Sequence, residues 1–233
     1  MLLIGENLSA SSSAPANPWF SWHYLQNNWG DIVKALTQHV NLTWQAIAIA
    51  LILALPLAVL ARRFPALSSW VIGASGVLYT IPSLALFAVL APFTGIGATT
   101  VLIGLVAYAL LVLVRNTLVG LQQVDPAVTD AARGMGYTSW QVLLRVEFPN
   151  ALPTIFAGIR MATVTTVALV TVGVVVGYGG LGQLLFRGFG SNYNAEVITA
   201  TLLCLALAFA FDLALWLVGR TVTPWARAKA VEA

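Results

Sequence analysis

Residues 64–114 run for 51 positions without one Asp, Glu, Lys or Arg. A membrane helix needs about 20 mostly apolar residues to cross a hydrocarbon core of about 30 Å, so this stretch alone holds two crossings. The breakers Pro92, Gly95 and Gly97 divide it into spans at about 67–91 and 98–114. Further spans are predicted at about 42–61, ending at Arg62 and Arg63, at 155–176, with Arg160 near its start, and at 197–218. Pro56 and Pro82 fall inside spans. Proline is tolerated there when neighbours satisfy the freed carbonyls, and each position is a candidate kink. Composition agrees: 59% of residues are hydrophobic and 8% charged, against about a quarter charged in soluble domains. A soluble enzyme, a DNA-binding domain and a disordered tail are excluded. The expectation is an all-α polytopic membrane protein.

Basic residues set the expected orientation. Five spans put the termini on opposite sides. With the C-terminus inside, Arg62, Arg63, Arg115, Arg133, Arg145, Arg160, Arg220, Arg227 and Lys229 lie in or at the cytoplasmic surface. Lys34 and Arg187 alone fall outside. The asymmetry follows the positive-inside rule. Residues 1–17 are read as a flexible segment without the basic and apolar regions of a signal peptide. Residues 18–40 are read as an external interfacial helix carrying Trp19, Phe20, Trp22, Tyr24 and Trp29. Docking of an external partner is the alternative role for that segment. A transmembrane domain over 41–220 and a cytoplasmic tail over 221–233 complete the chain.

Several chemistries have no residues to carry them. No glycine-rich loop precedes Lys34 or Lys229, so no P-loop cradles nucleotide phosphates. His23 and His39 have no grouped Cys, Asp or Glu at ligand spacing, and a metal role is not expected. Cys204 is the single cysteine and sits in an apolar run, where a buried or lipid-facing thiol is the plain reading. Asp212 lies inside the last span and Glu196 at its outer end. Asp212 is the one candidate for ion coupling, against a structural role near the inner surface.

The internal loop at about 116–153 is the most informative segment. Asp125-Pro126 is a helix start, with the carboxylate capping free amides and proline at the first helical position. Gly134 and Gly136 supply the turn that stops this helix near Arg133. Thr138 with Gln141 forms a capping box that opens a second helix, whose Trp140, Leu143, Leu144 and Phe148 share one face. Pro149 and Pro153 are expected to close it. Two short helices on a tight turn form a rigid knob, and Ala131, Ala132, Met135, Gly136 and Tyr137 suit a cleft on a soluble partner. An ordinary surface loop lying on the membrane is the alternative.

The spacing here resembles that of type I importer permeases of the ATP-binding-cassette (ABC) class. Their loop pattern is E-A-A, three residues, G, nine residues, I-x-L-P. This chain has Asp130-Ala131-Ala132, then Gly136, then Val146-Glu147-Phe148-Pro149 at the same intervals, with Asp for Glu, Val for Ile and Phe for Leu. The resemblance implies a five-helix core and a coupling helix seated on an ATPase subunit. Asp130, Ala131, Ala132, Gly134, Met135, Gly136, Tyr137, Val146 and Pro149 would make that contact. Over about residues 20–220 the chain is also similar to glycine betaine/carnitine/choline osmoprotectant permeases. The similarity is carried by Tyr79-Thr80-Ile81-Pro82-Ser83, Val114-Arg115-Asn116-Thr117, Arg133-Gly134-Met135-Gly136, Ala157-Gly158-Ile159-Arg160 and Gly179-Gly180-Leu181-Gly182.

That resemblance implies two ATP-binding subunits, an identical or paralogous second permease, an external substrate-binding protein, and a bacterial inner membrane location. ATP and Mg would sit on the partner ATPases, with no cofactor on this chain. Candidate path-lining residues are Tyr79, Ser83, Asn116, Thr163 and Thr166, with helix–helix hydrogen bonding as their alternative role. Gly179, Gly180 and Gly182 are candidates for an outer gate, against a simple connecting turn. Other readings are a permease for an amino-acid-like solute such as methionine or ergothioneine, a secondary carrier or channel using Asp212, and a non-transporting membrane anchor.

Overall fold

A computed structural model describes residues 17–225. The expectations for residues 1–16, Arg227 and Lys229 lie outside the described set. The described residues are helical, in the order α1 (Trp22–Asn27), α2 (Trp29–Arg63), α3 (Pro65–Thr80), α4 (Ser83–Thr94), α5 (Ala98–Gln122), α6 (Pro126–Gly134), α7 (Ser139–Val142), α8 (Phe148–Val172), α9 (Leu181–Gly190) and α10 (Asn194–Val222). A π-turn, Leu143–Glu147, joins α7 to α8, and a 3-10 turn, Gly173–Val176, follows α8.

Helix α2 packs along α5, and α5 along α8. The cause is a ladder of small residues: Ala46, Ala50, Ala54 and Ala58 recur every fourth position and are fully buried. Alanine at that spacing lets two backbones approach closely where no hydrophobic effect drives helices together. Ala109, Leu113 and Leu118 of α5 and Ala162 of α8 fill the facing side. Near the other end of the bundle, Phe87 of α4 is buried against Gly104 of α5, where an added Cβ would come within 2.5 Å of the ring. Helix α10 packs on α8 and α9.

Among the described residues, four helical segments are long and apolar enough to cross a membrane: Trp29–Arg63, Ala98–Gln122, Ser139–Val176 and Asn194–Val222. The expected span over 67–91 is not one helix. It breaks at Ile81-Pro82 into α3 and α4: Pro82 has no amide hydrogen to continue α3, disfavours helical backbone at Ile81, and becomes the N-cap of α4. The Tyr108 hydroxyl donates to the Ile81 carbonyl at 2.5 Å and so satisfies one acceptor at the break. Pro56 and Pro92, by contrast, are carried inside α2 and α4. The division at Gly95 and Gly97 is observed, with φ of 85° and 132° at the two glycines.

Three boundaries differ from expectation. Residues 29–40 are not a separate helix but the first turns of α2, which runs unbroken for 35 residues. The third span does not stop at 114 but continues to Gln122, carrying Arg115 inside a helix. Pro149 and Pro153 do not close the loop helix. The Phe148 amide bonds the Leu143 carbonyl, a five-residue step. This π-turn widens the helix just before Pro149, which falls in the first turn of α8.

Candidate functional site

The knob is built by local chemistry. The Asp125 carboxylate accepts the Ala127 amide at 2.8 Å, opening α6. Its end is fixed by the Gly136 amide on the Arg133 carbonyl at 2.9 Å and the Tyr137 amide on the Ala132 carbonyl at 3.1 Å. Gly136 has φ of 87°, a left-handed conformation that a side chain resists. Its missing Cβ points into open space. The Thr138 amide donates to Gln141 Oε1 at 2.8 Å and the Gln141 amide to Thr138 Oγ1 at 3.4 Å, completing the capping box.

Asp130, Ala131, Gly134, Met135 and Gly136 are exposed and Tyr137 is half-buried. Met135 is 71% exposed and Trp140 62%. Ala132 differs: it is buried within the chain, beneath the exposed residues of the knob. Val146 and Pro149 are half-buried at the base. Leu143 and Phe148 face the core around Leu121 and Ala151, while Leu144 and Trp140 are exposed. The four do not form one face because the π-turn between them rotates the helix.

The base has an ion pair that motif spacing alone did not single out. Glu147, buried, accepts from Arg62 Nη2 at 3.4 Å. The pair ties the C-terminal end of α2 to the π-turn beneath the knob. Beside it lies a cleft of about 510 Å³ lined by Arg62, Arg63, Arg133, Trp140 and Glu147. The signal was present in the sequence as the variable residue of the I-x-L-P element, a carboxylate entering an apolar segment.

The path candidates separate. Thr163 and Thr166 are buried inside the subunit and donate to their own helix at Ile159 (2.8 Å) and Ala162 (2.7 Å). Asn116 is half-buried, donates to the Val112 carbonyl at 2.8 Å, and packs on Gly158 so closely that a Cβ there would lie 2.5 Å away. Ser83 is the first residue of α4. Tyr79 lies in the last turn of α3, and its side chain is outside the described set.

The glycine segment forms a tight turn pressed against α2. A Cβ on Gly180 would lie 2.8 Å from His39 Cβ, and one on Gly179 would lie 2.6 Å from the Val174 amide nitrogen. His39 is fully buried. The Leu181 amide donates to its Nδ1 at 3.3 Å, so Nε2 carries the proton and donates to the Val167 carbonyl at 2.9 Å. The ring is a structural clasp between α2, α8 and α9. Nearby, Arg187 Nε donates to Glu196 at 2.6 Å and pairs with Asp31 at 3.5 Å. The hydrogen bond to Glu196 holds the guanidinium even more firmly protonated than usual. Burial, and then the Glu196 charge, pushes the Tyr24 phenol up to about 12. Asp212 is held by Arg160 in a two-pronged pair, Nε to Oδ1 at 2.8 Å and Nη2 to Oδ2 at 2.7 Å. No group of three or more His, Cys, Asp or Glu gathers at metal distance among the described residues.

Comparison with known proteins converges on one family. Residues 32–224 match the model of the binding-protein-dependent transport system inner membrane component. The chain is 40% identical over 204 residues to the osmoprotectant import permease protein OsmW of Salmonella typhimurium, covering 85% of this chain and 93% of that one. It is 36% identical over 192 residues to the carnitine transport permease protein OpuCB of Listeria monocytogenes, covering 80% and 88%. Its fold superposes on a chain of the inward-facing MetNI methionine ABC transporter with a TM-score of 0.75 at 24% identity, covering 88% of this chain and all of that one. With the family model spanning most of its length, this chain belongs to the inner membrane components of binding-protein-dependent transport systems and has the transmembrane fold of a type I ABC importer.

Proposed function

We propose that this chain is the permease subunit of an ABC importer for osmoprotectants of the quaternary ammonium class, glycine betaine, carnitine and choline among them. The names of the curated relatives support the solute class. The observation that carries the mechanism is the capped knob around Gly136, rigid at both helix ends and exposed where the loop spacing calls for a motor contact. Two ATPase subunits grip this knob and its copy on a second permease, identical or paralogous. The N-terminus lies outside and the C-terminus in the cytoplasm. An external binding protein delivers solute to the outward-facing seam, and ATP-driven closure swings the helices. This chain contributes a two-state packing change and no hydrolysis. The Glu147–Arg62 pair carries knob movement into α2, and the Gly179–Gly182 turn gates the outer mouth.

Gly136→Trp tests this reading. A Cβ added at Gly136 meets nothing within 4 Å, so insertion and folding are expected to survive apart from a strain of about 1–2 kcal/mol for the left-handed residue. Solute-stimulated ATP hydrolysis by the assembled complex is expected to vanish. Normal stimulation in that variant overturns the motor assignment.

A further inference from the structure

Two arginines lie inside apolar helices, and the fold treats them differently. Arg160 of α8 is neutralised by Asp212 of α10. Arg115 of α5 has no ion pair among the described residues, and it is exposed. Its depth follows from the helices around it. Gln122 at the end of α5 donates to Ser68 at the start of α3 at 3.1 Å, which sets the two antiparallel helices level at that end. Arg115 is seven residues before Gln122, about 10 Å along the axis at the α-helical rise. Gly76 is eight residues beyond Ser68, and the two residues line the same cleft. Residue 115 therefore lies about two turns in from the end of α5, inside the apolar length of both helices. An intramembrane charge facing lipid tails is costly, and such residues face a bundle interior or a watered path.

The cleft holds about 490 Å³ and is lined by Arg115 and Asn116 with Gly76, Val112 and Met161. Asn116 is fixed by its bond to Val112 and by Gly158 behind it. Its amide nitrogen is thereby engaged and its side-chain oxygen is left as an acceptor. No carboxylate lines the cleft. Resting on the proposed osmoprotectant function, we infer that this cleft is a transit subsite for the carboxylate end of zwitterionic solutes, with Arg115 as its cation. A betaine presents its carboxylate to Arg115 and turns its trimethylammonium head towards the apolar wall. Choline has a hydroxyl in place of the carboxylate and brings only a positive charge, so it gains nothing from Arg115. The subsite thus separates betaines from choline within one permease.

The test uses the full importer, with its ATPase and binding protein, in proteoliposomes, and radiolabelled glycine betaine and choline as probes. Arg115→Gln is expected to lower kcat/KM for glycine betaine uptake by about tenfold or more, the scale of one lost charge-assisted contact. Choline uptake, where the complex carries it, is expected to change less than about twofold by the same reasoning. Arg115→Lys is expected to keep most betaine transport, because the charge remains. Equal losses for both solutes, no loss for betaine, or Gln and Lys variants that behave alike overturn the inference. So does a wild-type complex that carries choline and no betaine. A wild-type complex that carries neither solute overturns the osmoprotectant function instead. ATPase activity of the Gln variant without solute checks that the complex assembles.

Discussion

Asp212 shows how one contact decides between mechanisms. An acid inside an apolar helix suggests proton coupling when it stands alone. Here both its oxygens are bonded to Arg160, at 2.8 and 2.7 Å. Removing one member leaves the other charge without its partner, while replacing both by apolar residues removes the desolvation cost as well. Asp212→Asn is therefore expected to destabilise the subunit by about 1–3 kcal/mol, the range for losing hydrogen bonds to a charged group. Arg160→Met with Asp212→Leu is expected to recover most of that loss in a detergent thermal-unfolding assay, and to retain ATP-driven uptake. Loss of uptake in a stable double variant would restore a coupling role to Asp212. The sequence placed Asp212 in the last span but could not show its partner, because the two residues are 52 positions apart.

At the scale of elements, the tight turn between α8 and α9 depends on the absence of a side chain. A Cβ on Gly182 would meet the Thr171 carbonyl oxygen and lie 2.6 Å from Thr171 Cα. Backbone cannot step aside as a flexible side chain can. Gly182→Ala is expected to cost about 1–3 kcal/mol, as overpacking of a tight interior does, read as a lower unfolding temperature. Gly134→Ala is the control: nothing lies within 4 Å of its added Cβ, so stability should hold or rise. A Gly182 variant as stable as wild type would mean that α8 and α9 are not locked at this turn. Some elements were legible and others were not, for physical reasons. The caps at Asp125 and Thr138 act over three residues or fewer, so the knob could be read from the chain. The Ile81-Pro82 break was signalled by proline, yet Pro56, Pro92 and Pro153 carry the same signal inside continuous helices. The signal is the same at all four prolines, so proline alone does not say which helix breaks. The alanine ladder of α2 was present at four-residue spacing, but composition alone reads alanine as merely apolar.

For the whole molecule, the question is where the energy for transport enters. Each carboxylate among the described residues is already committed. Asp31 and Glu196 pair with Arg187, Asp130 with Arg133, Glu147 with Arg62 and Asp212 with Arg160, while Asp125 caps α6. His39 uses both ring nitrogens. A proton-driven carrier needs an acid or imidazole free to change state on the path, and these groups are held by structural partners. Large apolar side chains along α10, Leu202, Leu205 and Phe209 among them, remain exposed. They suit lipid or a second copy, and the apolar surface is itself no source of work. The subunit alone should therefore be a gate without a drive. Reconstituted by itself with a solute gradient, it is expected to show no accumulation above equilibrium, with or without an imposed proton gradient. Adding the ATPase, the external binding protein and ATP to the same vesicles is expected to produce concentrative uptake. If a proton gradient alone drives accumulation through the isolated chain, one of the ion pairs above must open during transport, and Asp212–Arg160 is the first to test.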